Sequence, residues 1–268
     1  MDDVISKNRR TISSVENFIT SKDYEESADQ YGLPRHVRHL IDKPINRDIT
    51  YVDLLMFLSK FLDKKEINYL ELGVSVLKTF FQVASYLENS NIYAYDINYI
   101  NPTIENRFVK NEDKQILFDE KYYNYNSNKI TYFKGDVFDV DSLNNFQNSV
   151  LQNKLDIIFS DAHHSYNGLM SEYNNLLVNV LNDDFILNYD DLQFTNNPTF
   201  NTVTMNDAFF TIAKKFREKN PNIHVALVMV NGWLGQHEHK HANGIITTLN
   251  IREIFKINNI NINVMYFC

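Results

Sequence analysis

The chain has one cysteine, Cys268, which is also its last residue. A single cysteine cannot form an intrachain disulfide, and a metal site built from thiolates needs several. The longest purely apolar run, 225–230, is far shorter than the roughly 20 residues that cross a bilayer. The first residues of the chain, 1–7, lack the apolar core of a signal peptide. These absences predict a cytoplasmic protein without disulfides or membrane contact.

Basic residues are also few, with 26 Lys and Arg against 34 Asp and Glu and a formal net charge of −8. Binding to phosphate backbones requires a positive surface, so general nucleic-acid binding is excluded and a small-molecule partner is expected. With 268 residues, 44% of them hydrophobic, the chain suits one large α/β domain, with or without a lid. A homo-oligomer is left open.

Short β-branched and aromatic runs alternate with helical spacing along most of the chain. The predicted strands are 67–72, 91–95, 130–133, 156–160, 185–188 and 224–230. Helices are predicted at 48–62 and 77–87. This alternation, with acidic residues at successive strand ends, predicts a doubly wound, mostly parallel sheet.

Two regions stand apart from this pattern. Residues 1–47 are polar, with scattered apolar positions at helical spacing, and are predicted to form an N-terminal arm or helical lid beside a catalytic domain at 48–268. The segment 101–129 is long and rich in Asn and Tyr, which is typical of a functional insertion or a second lid.

A nucleoside site is predicted at the first strand end. The sequence there is Glu71-Leu72-Gly73-Val74-Ser75, and Asp96 ends the next strand. The glycine would let a ligand approach the backbone, and the carboxylate one strand over would accept hydrogen bonds from ribose hydroxyls. No Gly-x-Gly-x-x-Gly or Walker lysine pattern occurs, so a nucleoside without a pyrophosphate is expected. The alternative is a tight turn, with Asp96 capping a helix.

The order of acidic and glycine positions resembles that of the class I S-adenosylmethionine-dependent methyltransferases over about residues 50–250. The residues that carry the resemblance are Glu71, Gly73, Asp96, Gly135, Asp136, Asp161, Asp190 and Asp191. It implies a seven-stranded, Rossmann-like sheet that binds S-adenosylmethionine. The cofactor residues it implies are Glu71 and Gly73 near the methionine part, Asp96 at the ribose and Asp136 near the adenine, together with Ser75 and Asp161.

One departure from that family concerns the glycines, of which the chain has seven. Relatives carry a second glycine near the position of Leu77 or Lys78, and this chain has none there. The cofactor loop is therefore expected to make its turn in a different way.

Asp161, Asp190 and Asp191 follow two strands that are expected to be neighbours. Three converging carboxylates repel one another unless a cation lies among them, and oxygen ligands favour Mg²⁺, with Mn²⁺ and Ca²⁺ as alternatives. The motifs Asp161-x-x-His164-x-Tyr166 and Asp190-Asp191-Leu192-Gln193 are similar to those of metal-dependent O-methyltransferases of the catechol and the macrolide or rhamnosyl sugar types. The alternative is that these aspartates cap helices or following segments.

The histidines supply candidate bases. His164 comes three residues after Asp161, where catechol-type relatives have a basic residue, so it is the first candidate, with His163 second. His164 could instead only orient Asp161. Farther along, His237, His239 and His241 alternate, which on an extended backbone places them on one face. This run has three interpretations: a transition-metal site, a lid that brings an imidazole to the active site, or a solvated loop.

The predicted function is a divalent-metal-dependent O-methyltransferase. It would move a methyl group from S-adenosylmethionine to a hydroxyl of a sugar or another polyhydroxylated small molecule. Two alternatives remain open: a metal-independent N- or carboxyl-methyltransferase, and a non-catalytic methyltransferase-like partner subunit.

Overall fold

The computed structural model describes residues 1–13, 48–75, 77–195, 204–232 and 240–267, without the side chains of Ile12, Ser13, Thr103 and Ile104. No helix among these residues is long and apolar enough to cross a bilayer. The helices are α1 (Asp2–Ser13), α2 (Tyr51–Ser59), α3 (Lys78–Tyr86), α4 (Pro102–Glu105), α5 (Val140–Asn145), α6 (Tyr166–Glu172), α7 (Met205–Lys219) and α8 (Ile251–Ile257). π-Helical turns extend α5 over Phe146–Val150 and α6 over Tyr173–Leu177, and a last short turn, Val178–Val180, follows.

The strands are β1 (Asn68–Leu72), β2 (Asn91–Asp96), β3 (Val109–Lys110), β4 (Glu120–Tyr125), β5 (Asn128–Lys134), β6 (Leu155–Ser160), β7 (Leu181–Leu192), β8 (His224–Asn231), β9 (Lys240–Thr247) and β10 (Asn263–Phe267). They form one sheet in the order β10-β8-β9-β7-β6-β1-β2-β5-β4-β3. The five strands from β5 to β7 are parallel, and β9 lies antiparallel between β7 and β8. The doubly wound α/β architecture is confirmed.

The predicted number of seven strands is wrong, because the sheet has ten. The additional strands are β3 and β4 at one edge and β10 at the other, all antiparallel to their neighbours. Both edges are built from segments that lack the long Val and Ile runs of the central strands. The segment predicted as an insertion or lid, 101–129, therefore extends the sheet beside β5.

The central strands are buried on both faces, as parallel strands covered by helices must be. Side chains from alternate positions of β1 and β6 enter two separate cores. Tyr69, Ile157 and Phe159 pack with α2, α3 and α8, whereas Leu70 and Ile158 pack with α6 and α7. This two-sided burial fixes where the strands end, and hence where the polar residues after them lie.

The start of α2 is fixed by a capping box. The side chain of Thr50 accepts a hydrogen bond from Asp53 N, and the Asp53 carboxylate accepts one from Thr50 N. Arg9 of α1 also binds the buried Asp53, at 2.8 Å, so α1 packs against α2 and α3. Residues 14–47 lie outside the described ranges, and the N-terminal lid stays a prediction.

The strand order reverses between β1 and β6. From β1 the chain proceeds outward through β2 to β5 and then returns to β6 on the other side of β1. In sheets of this kind, ligands bind beyond the carboxyl ends of the strands at this reversal. The residues after β1 and β6 are therefore the place to look for a site.

Candidate functional site

Gly73 and Asp161 meet at the reversal of strand order. A Cβ atom on Gly73 would lie 2.4 Å from the carbonyl oxygen of Asp161, and the φ angle of Gly73 is 77°. Asp161 N donates to Leu72 O at 2.8 Å, which holds the two loops together. The predicted glycine position is thus one that no other residue fits.

The loop after Gly73 turns through left-handed residues that are not glycine. Ser75 has φ 46° and Leu77, which precedes α3, has φ 63°. Each such residue costs roughly 1–2 kcal/mol relative to the right-handed conformation. The loop therefore makes its turn without a second glycine, as the sequence predicts.

Asp96 binds the backbone of that loop. Its Oδ2 accepts hydrogen bonds from Val74 N at 2.8 Å and Ser75 N at 3.0 Å, and its Oδ1 accepts one from Asn98 N at 2.8 Å. A carboxylate offers about four acceptor positions, so one remains for a ribose hydroxyl. The structure brings Asp96 to the loop, and its contact with the ribose stays a prediction.

Glu71 lies beneath the loop, 2% exposed, and its Oε2 accepts a hydrogen bond from the Tyr69 hydroxyl at 2.6 Å. Burial raises its pKa well above the ordinary value. Asp136 lies after β5, where its Oδ1 accepts a hydrogen bond from Phe138 N at 2.9 Å. Beside it, the exposed side chains of Ile97 and Phe138 offer an apolar surface at the sheet edge where adenine is expected.

His164 lies between two carboxylates. Its Nε2 is 3.0 Å from Asp161 Oδ1, and its Nδ1 is 3.1 Å from Asp191 Oδ2. Hydrogen bonding to Asp161 raises the pKa of His164 to about 9. With that pKa, both ring nitrogens of His164 carry protons at neutral pH. The imidazolium therefore bridges the ends of β6 and β7.

A second histidine, His241, completes the cluster from β9. Its Nδ1 is 3.0 Å from Asp191 Oδ1 and 3.2 Å from Asp190 Oδ1. Burial alone would lower the pKa of His241, but these carboxylates outweigh burial and raise it to about 10. Asp191 has φ 55° and lies where the pairing of β7 with β9 shifts, which turns its carboxylate toward both imidazoles.

The cluster places three carboxylates beside two imidazoles, those of His164 and His241. Burial raises the pKa of Asp161 to about 7, with Asp190 and Asp191 adding to the effect, while the hydrogen bond from His241 lowers the pKa of Asp191. Among the residues that the structure describes, donor atoms close enough to share one ion occur in two groups, Asp161–His164–Asp191 and Asp190–Asp191–His241. The residues present therefore fit a divalent cation.

The other predicted histidines are placed differently. His163 lies outside the cluster, with its Nδ1 2.9 Å from Ser165 Oγ and its ring edge-on to Phe138 at 4.8 Å. His237 and His239 lie outside the described residues. His241 itself is the second residue of β9, so it is part of the sheet.

Two residues of the site were missed by sequence reasoning. Tyr51 stacks on Phe159 at 5.2 Å, meets the edge of the His241 ring at 5.7 Å, and has its hydroxyl 3.3 Å from Thr79 Oγ1. The Thr50–Asp53 capping box could have placed Tyr51 in the first turn of α2. Below the cluster, the fully buried Glu172 accepts a hydrogen bond from Ser160 Oγ at 2.6 Å, and burial raises its pKa to about 8. No sequence signal marked Glu172.

No known family model matches the chain, and no curated protein sequence does. Similar solved structures include an O-methyltransferase from Bacillus cereus in complex with SAH, at 15% identity and TM-score 0.49, covering 85% of this chain and 91% of that one. Another is Aeropyrum pernix fibrillarin with S-adenosyl-L-methionine, at 14% identity and TM-score 0.43, covering 72% and 74%. A third is the plantazolicin methyltransferase BpumL with SAH, at 10% identity and TM-score 0.46, covering 92% and 99%.

Each of these structures contains SAH or S-adenosyl-L-methionine. They are of the kind that the sequence motifs predict. At such low sequence identity and TM-score they carry no argument about the activity of this chain, and the proposal for that activity rests on the site itself.

Proposed function

We propose that the chain is a divalent-metal-dependent O-methyltransferase that moves a methyl group from S-adenosylmethionine to a hydroxyl of a small molecule, a sugar or another polyhydroxylated compound. The observation that carries the proposal is that two overlapping groups of donor atoms, Asp161–His164–Asp191 and Asp190–Asp191–His241, lie at the sheet edge where Asp161 contacts Gly73. The loop that would bind the cofactor and the carboxylates that would bind a cation thereby share one edge of the sheet.

Each residue has a definite part in this proposal. Asp96 and the Gly73–Ser75 loop would bind the nucleoside, while Asp161, Asp190 and Asp191 would hold the ion. A bound divalent ion lowers the pKa of a hydroxyl and orients it toward the methyl group. The fixed positions of these carboxylates on neighbouring strands would keep the acceptor in line.

His164 is the proposed base. Its pKa of about 9 means that it carries a proton at neutral pH while it bridges Asp161 and Asp191. It can accept a proton only when its ring is neutral, and a divalent ion on the carboxylates would favour the neutral ring by supplying the positive charge there. A base of this kind contributes roughly 10²–10⁴ in rate, so His164→Ala should lose that much.

The test is methyl transfer from labelled S-adenosylmethionine to a panel of sugars and polyols, before and after EDTA. We expect the activity to vanish with EDTA and to return when a divalent ion is added. Activity that survives EDTA would favour a metal-independent N- or carboxyl-methyltransferase. A protein that fails to bind S-adenosylmethionine in calorimetry would favour the non-catalytic partner subunit.

A further inference from the structure

Asp190 is a buried carboxylate whose polar contacts with the described residues all reach one oxygen, Oδ1. The residue is 3% exposed, and its Oδ1 accepts from Asp191 N at 2.8 Å, Asn243 Nδ2 at 2.7 Å and His241 Nδ1 at 3.2 Å. No hydrogen bond from the described residues reaches its Oδ2. The hydrogen bonds to Oδ1 orient the carboxylate, as the hydrogen-bond partners of a metal ligand do.

The imidazole of His241 is held in place before any ion arrives. It extends from β9, which pairs with both β7 and β8, and the ring of Tyr51 meets its edge at 5.7 Å and 71°. Its Nδ1 lies 3.0 and 3.2 Å from one oxygen of Asp191 and one of Asp190. Adjacent ligands of a six-coordinate ion with bonds near 2.1 Å are about 3 Å apart, so this spacing suits a single ion.

The two candidate groups differ in what an ion has to displace. His164 uses both ring nitrogens to bridge Asp161 and Asp191, so an ion between those carboxylates must push the ring aside. His241 reaches Asp190 and Asp191 through Nδ1 alone, so an ion bound at that nitrogen leaves the ring in its place. The second group is therefore the one that is already arranged for binding.

We propose that His241 is a ligand of the divalent ion, together with Asp190 and Asp191, and that this mixed nitrogen and oxygen set selects a transition-metal ion such as Mn²⁺ over Mg²⁺. The inference rests on the proposed function and identifies its ion. Mg²⁺ binds oxygen ligands and retains waters, whereas imidazole suits first-row transition metals. Asp161 joins the same ion when His164 moves away.

The test is pulsed electron paramagnetic resonance of the protein loaded with Mn²⁺ after removal of bound ions. The expected spectrum shows coupling to the ¹⁴N of an imidazole. That coupling should disappear in His241→Ala and remain in His164→Ala and in the control His163→Ala, whose ring lies outside the cluster. The Mn²⁺ affinity of His241→Ala should fall roughly 10–100-fold or more, the loss seen when even an outer partner of a metal ligand is removed.

A rescue variant sharpens the result. His241→Asp supplies an oxygen in place of the nitrogen, so it should bind a divalent ion without ¹⁴N coupling and with its preference moved from Mn²⁺ toward Mg²⁺. Mn²⁺ binding without ¹⁴N coupling, together with unchanged affinity in His241→Ala, would overturn the inference and leave the metal-dependent proposal standing. A parent protein that binds no divalent ion would overturn both.

Discussion

Gly73 and Asp161 are in backbone contact at the reversal of the sheet, where a Cβ atom on Gly73 would lie 2.4 Å from the Asp161 carbonyl oxygen. The two residues belong to the loops that we assign to the cofactor and to the ion. The absence of a side chain at Gly73 therefore lets the loop assigned to the cofactor lie directly against the residues assigned to the ion.

Substitutions in this loop should have opposite effects on stability. Gly73→Ala adds an atom against rigid backbone at φ 77°, so the free energy of unfolding should fall by roughly 1–3 kcal/mol in urea titrations. Ser75 is exposed with φ 46°, and Ser75→Gly should leave the stability unchanged or raise it. A Gly73→Ala protein as stable as the parent would contradict the contact.

Removal of the Asp96 carboxylate should weaken cofactor binding. Asp96→Ala loses the acceptor that holds Val74 N and Ser75 N and the proposed ligand of the ribose. We expect the free energy of S-adenosylmethionine binding in calorimetry to weaken by on the order of 2–3 kcal/mol. If Asp96 only braces the loop, the variant will melt at a lower temperature and bind the cofactor as tightly as the parent.

The two carboxylates beside His164 should respond differently when no metal is present. Burial raises the pKa of Asp161, so its anion is unfavourable and Asp161→Ala should melt in EDTA at the parent temperature or above it. Asp191, whose pKa is lowered by His241, stabilises two imidazoliums, so Asp191→Ala should melt lower. Both should lose turnover and retain cofactor affinity.

The same melting experiment tests for the ion. The melting temperature of the parent should rise with millimolar Mn²⁺, Mg²⁺ or Ca²⁺, because an ion that binds only the folded protein stabilises it. The rise should be absent in Asp191→Ala. A parent melting temperature that stays the same with each of the three ions would argue strongly against a metal site.

Glu172 should make stability fall with rising pH. Burial raises its folded pKa to about 8, above the unfolded value, so the stabilisation is complete below about pH 4.5 and is lost as the pH rises through 8. Glu172→Gln copies the neutral acid and keeps an acceptor for Ser160. Urea titrations at several pH values should show the variant gaining on the parent by up to about 1.4 kcal/mol per pH unit between pH 5 and 8. Curves of stability against pH that run parallel for the parent and the variant would contradict the raised pKa of Glu172.

The sequence located the central strands because their signal is local. β1, β2, β6 and β8 carry β-branched and aromatic runs, and each was predicted to within a residue or two. β9 was missed because Lys240–Thr247 begins with Lys, His, Ala, Asn and Gly. Its place between β7 and β8 follows from pairing between distant segments, which local composition does not report.

The candidate site was predictable to the same extent. Asp161, Asp190 and Asp191 could be brought together because neighbouring parallel strands end at one edge. The position of His241 depends on where β9 docks, so the alternating histidines allowed three interpretations. The position of Tyr51 depends on how α2 packs against the sheet. The helical pattern of 48–62 predicts the helix but does not determine that packing.

Because β9 runs opposite to its neighbour β7, it reaches the site with its first residues. A shift of β9 by one position would turn His241 to the other face of the sheet. Gly244 prevents that shift, since a Cβ there would lie 2.4 Å from Leu192 Cδ1 and 2.5 Å from Phe209 Cε2. After an insertion or deletion between His241 and Gly244, the position of Gly244 would no longer determine which face of the sheet His241 occupies. The number of residues between His241 and Gly244 therefore matters to the site as much as the two residues themselves.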